Sequence, residues 1–244
     1  MIKFVLLGVQ RTGTTVLRTT LNNHSKIRCT GEVFKIGTWN TSAYEGDLGY
    51  EALMRNSVAG RIRHYIARGS NTTQYLDKLY MQNGYEAIGF KLMFNQTGRF
   101  PAIIPYLKSN KIKLIHLVRE NYLKTHISAL MANKRGFHST KAVKQIKLIM
   151  PVRDLVYRLD CIKNESDQWA NIFSESDNYL RVTYEDFMKS RDEQISKIVD
   201  FLGIEKEEIS SDLVKLTSDD LSEVLENYED VKSKLLGTQY EALI

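Results

Sequence analysis

The stretch Gly8-Val9-Gln10-Arg11-Thr12-Gly13-Thr14-Thr15 sets two glycines at the GxxxxG spacing of a P-loop and adds an arginine and three hydroxyls. Glycine lets a backbone turn tightly and approach an anion, and the free N–H groups at the start of a following helix, with its positive dipole end, bind phosphate oxygens. Nucleotide-hydrolysing P-loops place a lysine where Thr14 stands. Arg11 supplies a guanidinium fork instead, and Thr14 and Thr15 add hydroxyl donors, so a phosphate can be held without that lysine. The alternative, a glycine turn that binds nothing, gives Arg11 no task inside the loop.

Further along, the apolar run Lys111 to Val118 ends at Arg119, and a helical stretch carrying Ser128 follows it. A second cation and hydroxyl beyond another strand suit a second phosphate on the same ligand. Lys91 ends the strand-like Ile88-Gly89-Phe90 run, and Glu32 follows a strand-like segment just past the first helix, where it can return to the mouth of the Gly8 loop. A solvated lysine and a surface carboxylate are the bland readings of those two. The five histidines show no triad or metal spacing, and His116, set between Ile115 and Leu117, reads as a core residue. Cys29 and Cys161 are far apart and read as buried free thiols; no metal-ligand cluster is predicted. Trp39 and Trp169 suit core packing better than stacking on a ring acceptor.

The elements that must position these groups are strands at Ile2 to Val9, Glu86 to Met93, Lys111 to Val118 and Asn178 to Thr183, with a helix from about Thr14 to Asn23. Strands alternating with helices imply right-handed crossovers and an α/β fold: a P-loop-type, doubly wound parallel sheet flanked by helices. Ligands of such sheets sit beyond the carboxyl ends of the strands, where the Gly8 loop, Lys91 and Arg119 all fall. At 244 residues one domain, 1–244, is expected, with the helix-rich segments 35–84 and 134–165 covering the acceptor side.

Composition narrows the classes further. Hydrophobic residues make up 43% and charged residues 26%, the balance of an ordinary globular chain. With no apolar window long enough to span a bilayer and no signal-peptide pattern after Met1, a cytoplasmic protein without a transmembrane segment is expected. The net charge of +5 conceals a stretch, 121 to 153, with seven lysines and arginines and no acid. That stretch favours an anionic ligand, or is a solvated helix face; no nucleic-acid-binding pattern accompanies it. Oligomeric state is left open.

Taken together, the Arg11 loop, the Arg119 to Ser128 segment and Arg181-Val182-Thr183-Tyr184-Glu185-Asp186-Phe187 resemble the PAPS-dependent sulfotransferase superfamily over most of the chain. Arg11 to Thr15 with Ile27-Arg28-Cys29-Thr30-Gly31-Glu32 is similar to the tyrosylprotein sulfotransferases, and Gly89-Phe90-Lys91-Leu92-Met93 to the bacterial Nod-factor (carbohydrate) sulfotransferases. The resemblance implies that Arg11, Thr12, Gly13, Thr14 and Thr15 bind the 5′-phosphosulfate of 3′-phosphoadenosine 5′-phosphosulfate (PAPS), that Arg119 and Ser128 bind its 3′-phosphate, and that Tyr184 lies near the adenine. It further implies sulfuryl transfer to an acceptor hydroxyl without a metal, with Glu32 as general base and Arg11 and Lys91 as cations over the reacting groups. A carbohydrate or glycolipid acceptor is favoured over a tyrosyl or other phenolic one, and a P-loop nucleotide kinase is the rival enzyme class. Three departures from cytosolic members stand out: Ser128 follows Arg119 by nine residues where many have eight, their Arg-Lys-Gly segment is absent, and Arg11 replaces a lysine.

Overall fold

The computed structural model describes residues 1–35, 50, 68–82, 84–135, 147–209 and 220–244. Five parallel strands form one sheet: β1 (Ile2–Gly8), β2 (Ile27–Thr30), β3 (Ala87–Met93), β4 (Lys113–Val118) and β5 (Tyr179–Thr183), in the order β2-β3-β1-β4-β5. The four strands expected from the sequence are present with ends trimmed by one or two residues, and the strand-like segment ahead of Glu32 is β2.

Central β1 is apolar on both sides because helices cover both. Val5 and Leu7 face one layer, packed with Ile88, Phe90 and Leu114 against α2 (Arg68–Leu79), α4 (Ile103–Ser109) and α6 (Leu155–Phe173); α3 (Phe94–Thr97) and α5 (Tyr122–Arg135) lie between these in the chain. Phe4 and Leu6 face the other layer, packed with Ile115, Leu117 and Val182 against α1 (Thr14–Leu21), α7 (Tyr184–Lys189) and α8 (Arg191–Leu202). A third apolar cluster joins α5 and α6 to α9 (Leu221–Val224) and α10 (Tyr228–Leu235). The expected doubly wound α/β architecture is therefore observed.

Chain order fixes where a ligand can lie. From β1 the chain passes to the edge strand β2, returns through β3, and then crosses β1 to build β4 and β5 on its other side. Connections leave the carboxyl end of β1 and of its two neighbours in opposite directions, which opens a crevice there. The Gly8 loop, the β3–α3 junction and the β4–α5 junction all converge on it.

Several sequence readings meet the core. His116 is buried with its Nδ1 2.6 Å from the Tyr179 hydroxyl, and burial, with Arg181 nearby, pulls its pKa down to about 3. Trp169 is fully buried between Phe94 and Phe173, so it is core and not a stacking platform. Of the segments assigned to the acceptor side, 36–49, 51–67, 83 and 136–146 lie outside the described residues, as do Trp39 and His138. The expectation of two buried thiols needs correction: Cys29 is buried in β2, but Cys161 is exposed on α6. Cys161 occupies the solvent side of a helix whose buried positions are Leu155, Leu159, Ser166, Trp169 and Phe173.

Two measurements follow from this packing. Burial pushes the Cys29 thiol up to about 12, so a thiol-reactive disulfide should label Cys161 alone in the native protein and Cys29 only after unfolding. Gly89 is squeezed in β3: a β-carbon there would lie 2.5 Å from the Phe4 ring inside the core. Gly89→Ala should cost about 1–3 kcal/mol by overpacking, read in urea unfolding as a lower midpoint at unchanged slope.

Candidate active site

Residues Gly8 to Thr15 connect β1 to α1 and form the floor of the crevice. Gly13, which caps α1, has φ 91°, the left-handed region open to glycine, and a β-carbon there would sit 2.5 Å from the Tyr184 ring. Arg11 also takes a left-handed conformation, φ 69°, which costs a non-glycine residue about 1–3 kcal/mol and is held only where the surroundings over-determine it. Thr12 is buried and donates its hydroxyl to the Val9 carbonyl at 2.8 Å, closing the turn. Thr14 is buried and Thr15 exposed at the start of the helix. The loop therefore has rigid threonine ties beneath it and a strained arginine above.

That arginine is fixed from the β4 side. Arg11 Nε donates to Ser128 Oγ at 3.1 Å, and a guanidinium nitrogen of Arg119 donates to the Arg11 carbonyl at 3.4 Å. The unusual spacing between Arg119 and Ser128 acquires a physical sense here. Ile127, at the eight-residue position, is buried among Leu123, Met131 and their neighbours in the α5–α6 cluster, whereas Ser128 is turned toward Arg11. Arg119 in turn lies with its guanidinium carbon 4.6 Å from the centre of the Tyr184 ring, a cation–π contact. Arg11, Gly13, Arg119, Ser128 and Tyr184 thus come together from four elements or junctions.

On the β3 side, Lys91 and Glu32 meet. The pairing of β2 with β3 ends at Thr30 and Phe90, and one further bond, Lys91 N to the Gly31 carbonyl at 3.2 Å, carries the chains on in register. Burial of Val33 and Phe34 in the aromatic cluster with Tyr50, Phe90 and Phe100 anchors the chain just past Glu32. Lys91 Nζ then lies 3.0 Å from Glu32 Oε1 and 3.2 Å from Thr15 Oγ1, so a single ammonium ties the carboxylate to the cradle. The sequence reading put Lys91 at the end of its strand. It lies inside β3, which runs on to Met93, and 8% of its surface is exposed. Burial pulls the Lys91 ammonium below its ordinary pKa, with the Glu32 carboxylate working against that shift.

Gln96 was not legible in the sequence. Its Oε1 accepts from the Met93 backbone N–H at 3.2 Å, which fixes which end of the amide is which, and its Nε2 then donates to Glu32 Oε2 at 3.1 Å. Each Glu32 oxygen therefore has a donor from β3 or α3. A glutamine at the third position of a short helix signals a capping box only when Ser or Thr precedes it by three, and here Met93 stands there.

Comparison with known proteins bears on the family and the fold. The model of the sulfotransferase family matches residues 4–208, and the chain belongs to that family. No curated protein matches it in sequence. Among solved structures, a sulfotransferase from Alicyclobacillus acidocaldarius has a TM-score of 0.54 at 14% identity, covering 100% of this chain and 98% of that one. The sulfotransferase domain of the Synechococcus PCC 7002 olefin synthase gives 0.54 at 20% identity, over 85% of this chain and 74% of that one. The sulfotransferase domain from the curacin biosynthetic pathway gives 0.51 at 18% identity, over 84% and 75%. These likenesses establish the fold. The family makes the chain a PAPS-dependent sulfotransferase, which sets aside the nucleotide kinase.

If Arg11 grips the donor's phosphosulfate, losing its guanidinium removes charge-assisted bonds worth about 1.5–3 kcal/mol. Arg11→Ala should weaken adenosine 3′,5′-bisphosphate (PAP) binding about 10- to 100-fold by calorimetry. Unchanged affinity would take Arg11 out of the donor site.

Proposed function

We propose that this enzyme moves the sulfuryl group of PAPS to a hydroxyl of a carbohydrate or glycolipid, with Glu32 as general base and Arg11 and Lys91 as the cations at the reacting centre. The observation that carries this reading is the Glu32–Lys91–Thr15 bridge, which joins a carboxylate to the phosphate cradle through one buried ammonium. Transfer is an in-line displacement: the acceptor oxygen bonds to sulfur as the bond from sulfur to the 5′-phosphate oxygen breaks. The products are a sulfate ester and PAP. Two needs arise in the transition state, removal of the acceptor proton and neutralisation of charge on the departing phosphate.

Glu32 meets the first need. It reaches the mouth of the cradle paired with Lys91, held at both oxygens, and can take the acceptor proton as the new ester bond forms. Lys91 and Arg11 meet the second. Lys91 has three N–H donors and already spans from Thr15 to Glu32, so it can follow charge from the sulfuryl oxygens to the leaving oxygen without leaving its place in β3. On the opposite side, Arg119 and Ser128 would take the 3′-phosphate, and Tyr184, in contact with Gly13 and Arg119, would border the adenine.

The Gly89 to Met93 similarity supports the glycan acceptor. The Glu32 segment supports a tyrosyl or other phenolic hydroxyl as the second reading. We take residues 1–244 as one sulfotransferase domain, with 35–84 and 134–165 on the acceptor side. A cytoplasmic site of action is supported by two free cysteines, Cys29 and Cys161.

Incubation with labelled PAPS and a panel of glycans, glycolipids, phenols and tyrosyl peptides tests the acceptor: label should enter the glycan arm, and label confined to phenols or peptides would replace the first reading by the second. On whichever acceptor is sulfated, Glu32→Gln should lower turnover by about 10²–10⁴-fold while PAP binding is kept. Near-normal turnover would remove Glu32 from the chemistry.

A further inference from the structure

The donor-site reading gives Arg119 the 3′-phosphate but leaves open how a side chain on a junction outside the sheet is held in place for it. The corner between β5 and α7 holds it from two directions. Tyr184 presses its ring under the guanidinium at 4.6 Å. The next residue, Glu185, turns its carboxylate to the two peptide groups that follow Arg119: Oε2 accepts from the Glu120 N–H and Oε1 from the Asn121 N–H, each at 3.1 Å. Two consecutive N–H groups aimed at one carboxylate define the backbone direction on leaving β4, and α5 starts at the next residue, Tyr122. The corner itself is rigid. Thr183 caps α7 by accepting from the Asp186 N–H at 3.0 Å, and Phe187 is fully buried in the core.

We infer that Glu185 is a positioning residue for donor recognition, holding the Glu120–Asn121 backbone so that Arg119 is presented to the 3′-phosphate and the enzyme distinguishes PAP from nucleotides that lack that group. The physical reason lies in the alternative. Without the carboxylate, two N–H groups ahead of α5 must turn to water, and the backbone at Glu120 and Asn121 keeps the Asn121 cap of α5, whose Oδ1 accepts from the Lys124 N–H at 2.8 Å, and the exposed ion pair of Glu120 and Arg181, a type of contact that contributes little. Arg119 would still carry its charge, but over a wider set of positions, and a bidentate phosphate contact weakens steeply with misalignment. Glu185 touches neither the cradle nor any reacting atom in this arrangement. Its removal therefore reaches the ligand through the junction it clamps, which presents Arg119 and starts the helix that carries Ser128.

The inference rests on the assignment of Arg119 to the 3′-phosphate, and the experiment separates the two. Binding of PAP and of adenosine 5′-phosphate is measured by calorimetry for the wild type, Arg119→Ala, Glu185→Gln and Glu185→Ala. Both ligands offer a 5′-phosphate to the cradle; only PAP offers the 3′-phosphate. The preference for PAP over adenosine 5′-phosphate should fall about 10-fold or more in Glu185→Ala. It should fall by less in Glu185→Gln, which keeps one acceptor and the side-chain shape, and serves if the alanine variant does not fold. Affinity for adenosine 5′-phosphate should move less than about 2-fold in both. If the two ligands weaken equally in the Glu185 variants while Arg119→Ala abolishes the preference, Glu185 is only a structural clamp and the inference is overturned. If Arg119→Ala itself keeps the preference, the 3′-phosphate assignment fails with it.

Discussion

Contact between Gly13 and the Tyr184 ring is the constraint around which the candidate site is arranged. Any side chain at Gly13 would occupy the space of that ring, at 2.5 Å, and would have to adopt φ 91° as well. Because the ring can come this close, β5 and α7 reach the mouth of β1 across the intervening strand β4. Tyr184 also carries Arg119 over its ring, Arg119 reaches the Arg11 carbonyl, and Arg11 reaches Ser128. Four contacts therefore connect two cations and a hydroxyl, widely separated in sequence, into one positively charged cluster.

The β3 side is organised by a different balance. Burying an ammonium costs several kcal/mol unless a partner offsets it, and the depressed pKa of Lys91 records that cost. Glu32 is the offsetting charge, and it is itself secured by Gln96. A hydrophobic pair of equal volume would satisfy the fold as well as this ion pair does, so stability alone does not explain its presence. A lysine partly released from water, near its partner and beside the cradle, responds strongly to any anion brought to the loop, because the attraction is weakly screened there.

Legibility in the sequence divides along physical lines. Strands buried on both faces write themselves as apolar runs, so β1, β3 and β4 were readable within a residue or two. Glycine spacing marked the cradle because few residues other than glycine serve there. Gln96 left no such mark, and Glu185 stood in the Arg181 to Phe187 string without a role of its own: each acts through hydrogen bonds to groups that only the fold brings near. The exposure of Cys161 was misread for a related reason, since a lone cysteine carries no signal of which helix face it occupies.

What the sequence determined by itself is the loop: Gly8, Arg11, Gly13 and the threonines lie within eight consecutive residues, so local backbone chemistry suffices to propose an anion site there. The doubly wound class of the sheet was also set, through the alternation of apolar runs with helical periods. Only the tertiary structure decided what surrounds the loop. Strand order places β3 and β4 on either side of β1, and register carries Lys91 opposite Leu6 and on to Glu32 and Thr15. The packing of Ile127 into the α5–α6 cluster leaves Ser128 for Arg11. Those choices depend on which apolar faces bury one another across long separations, a competition among non-local contacts that no short stretch of sequence encodes.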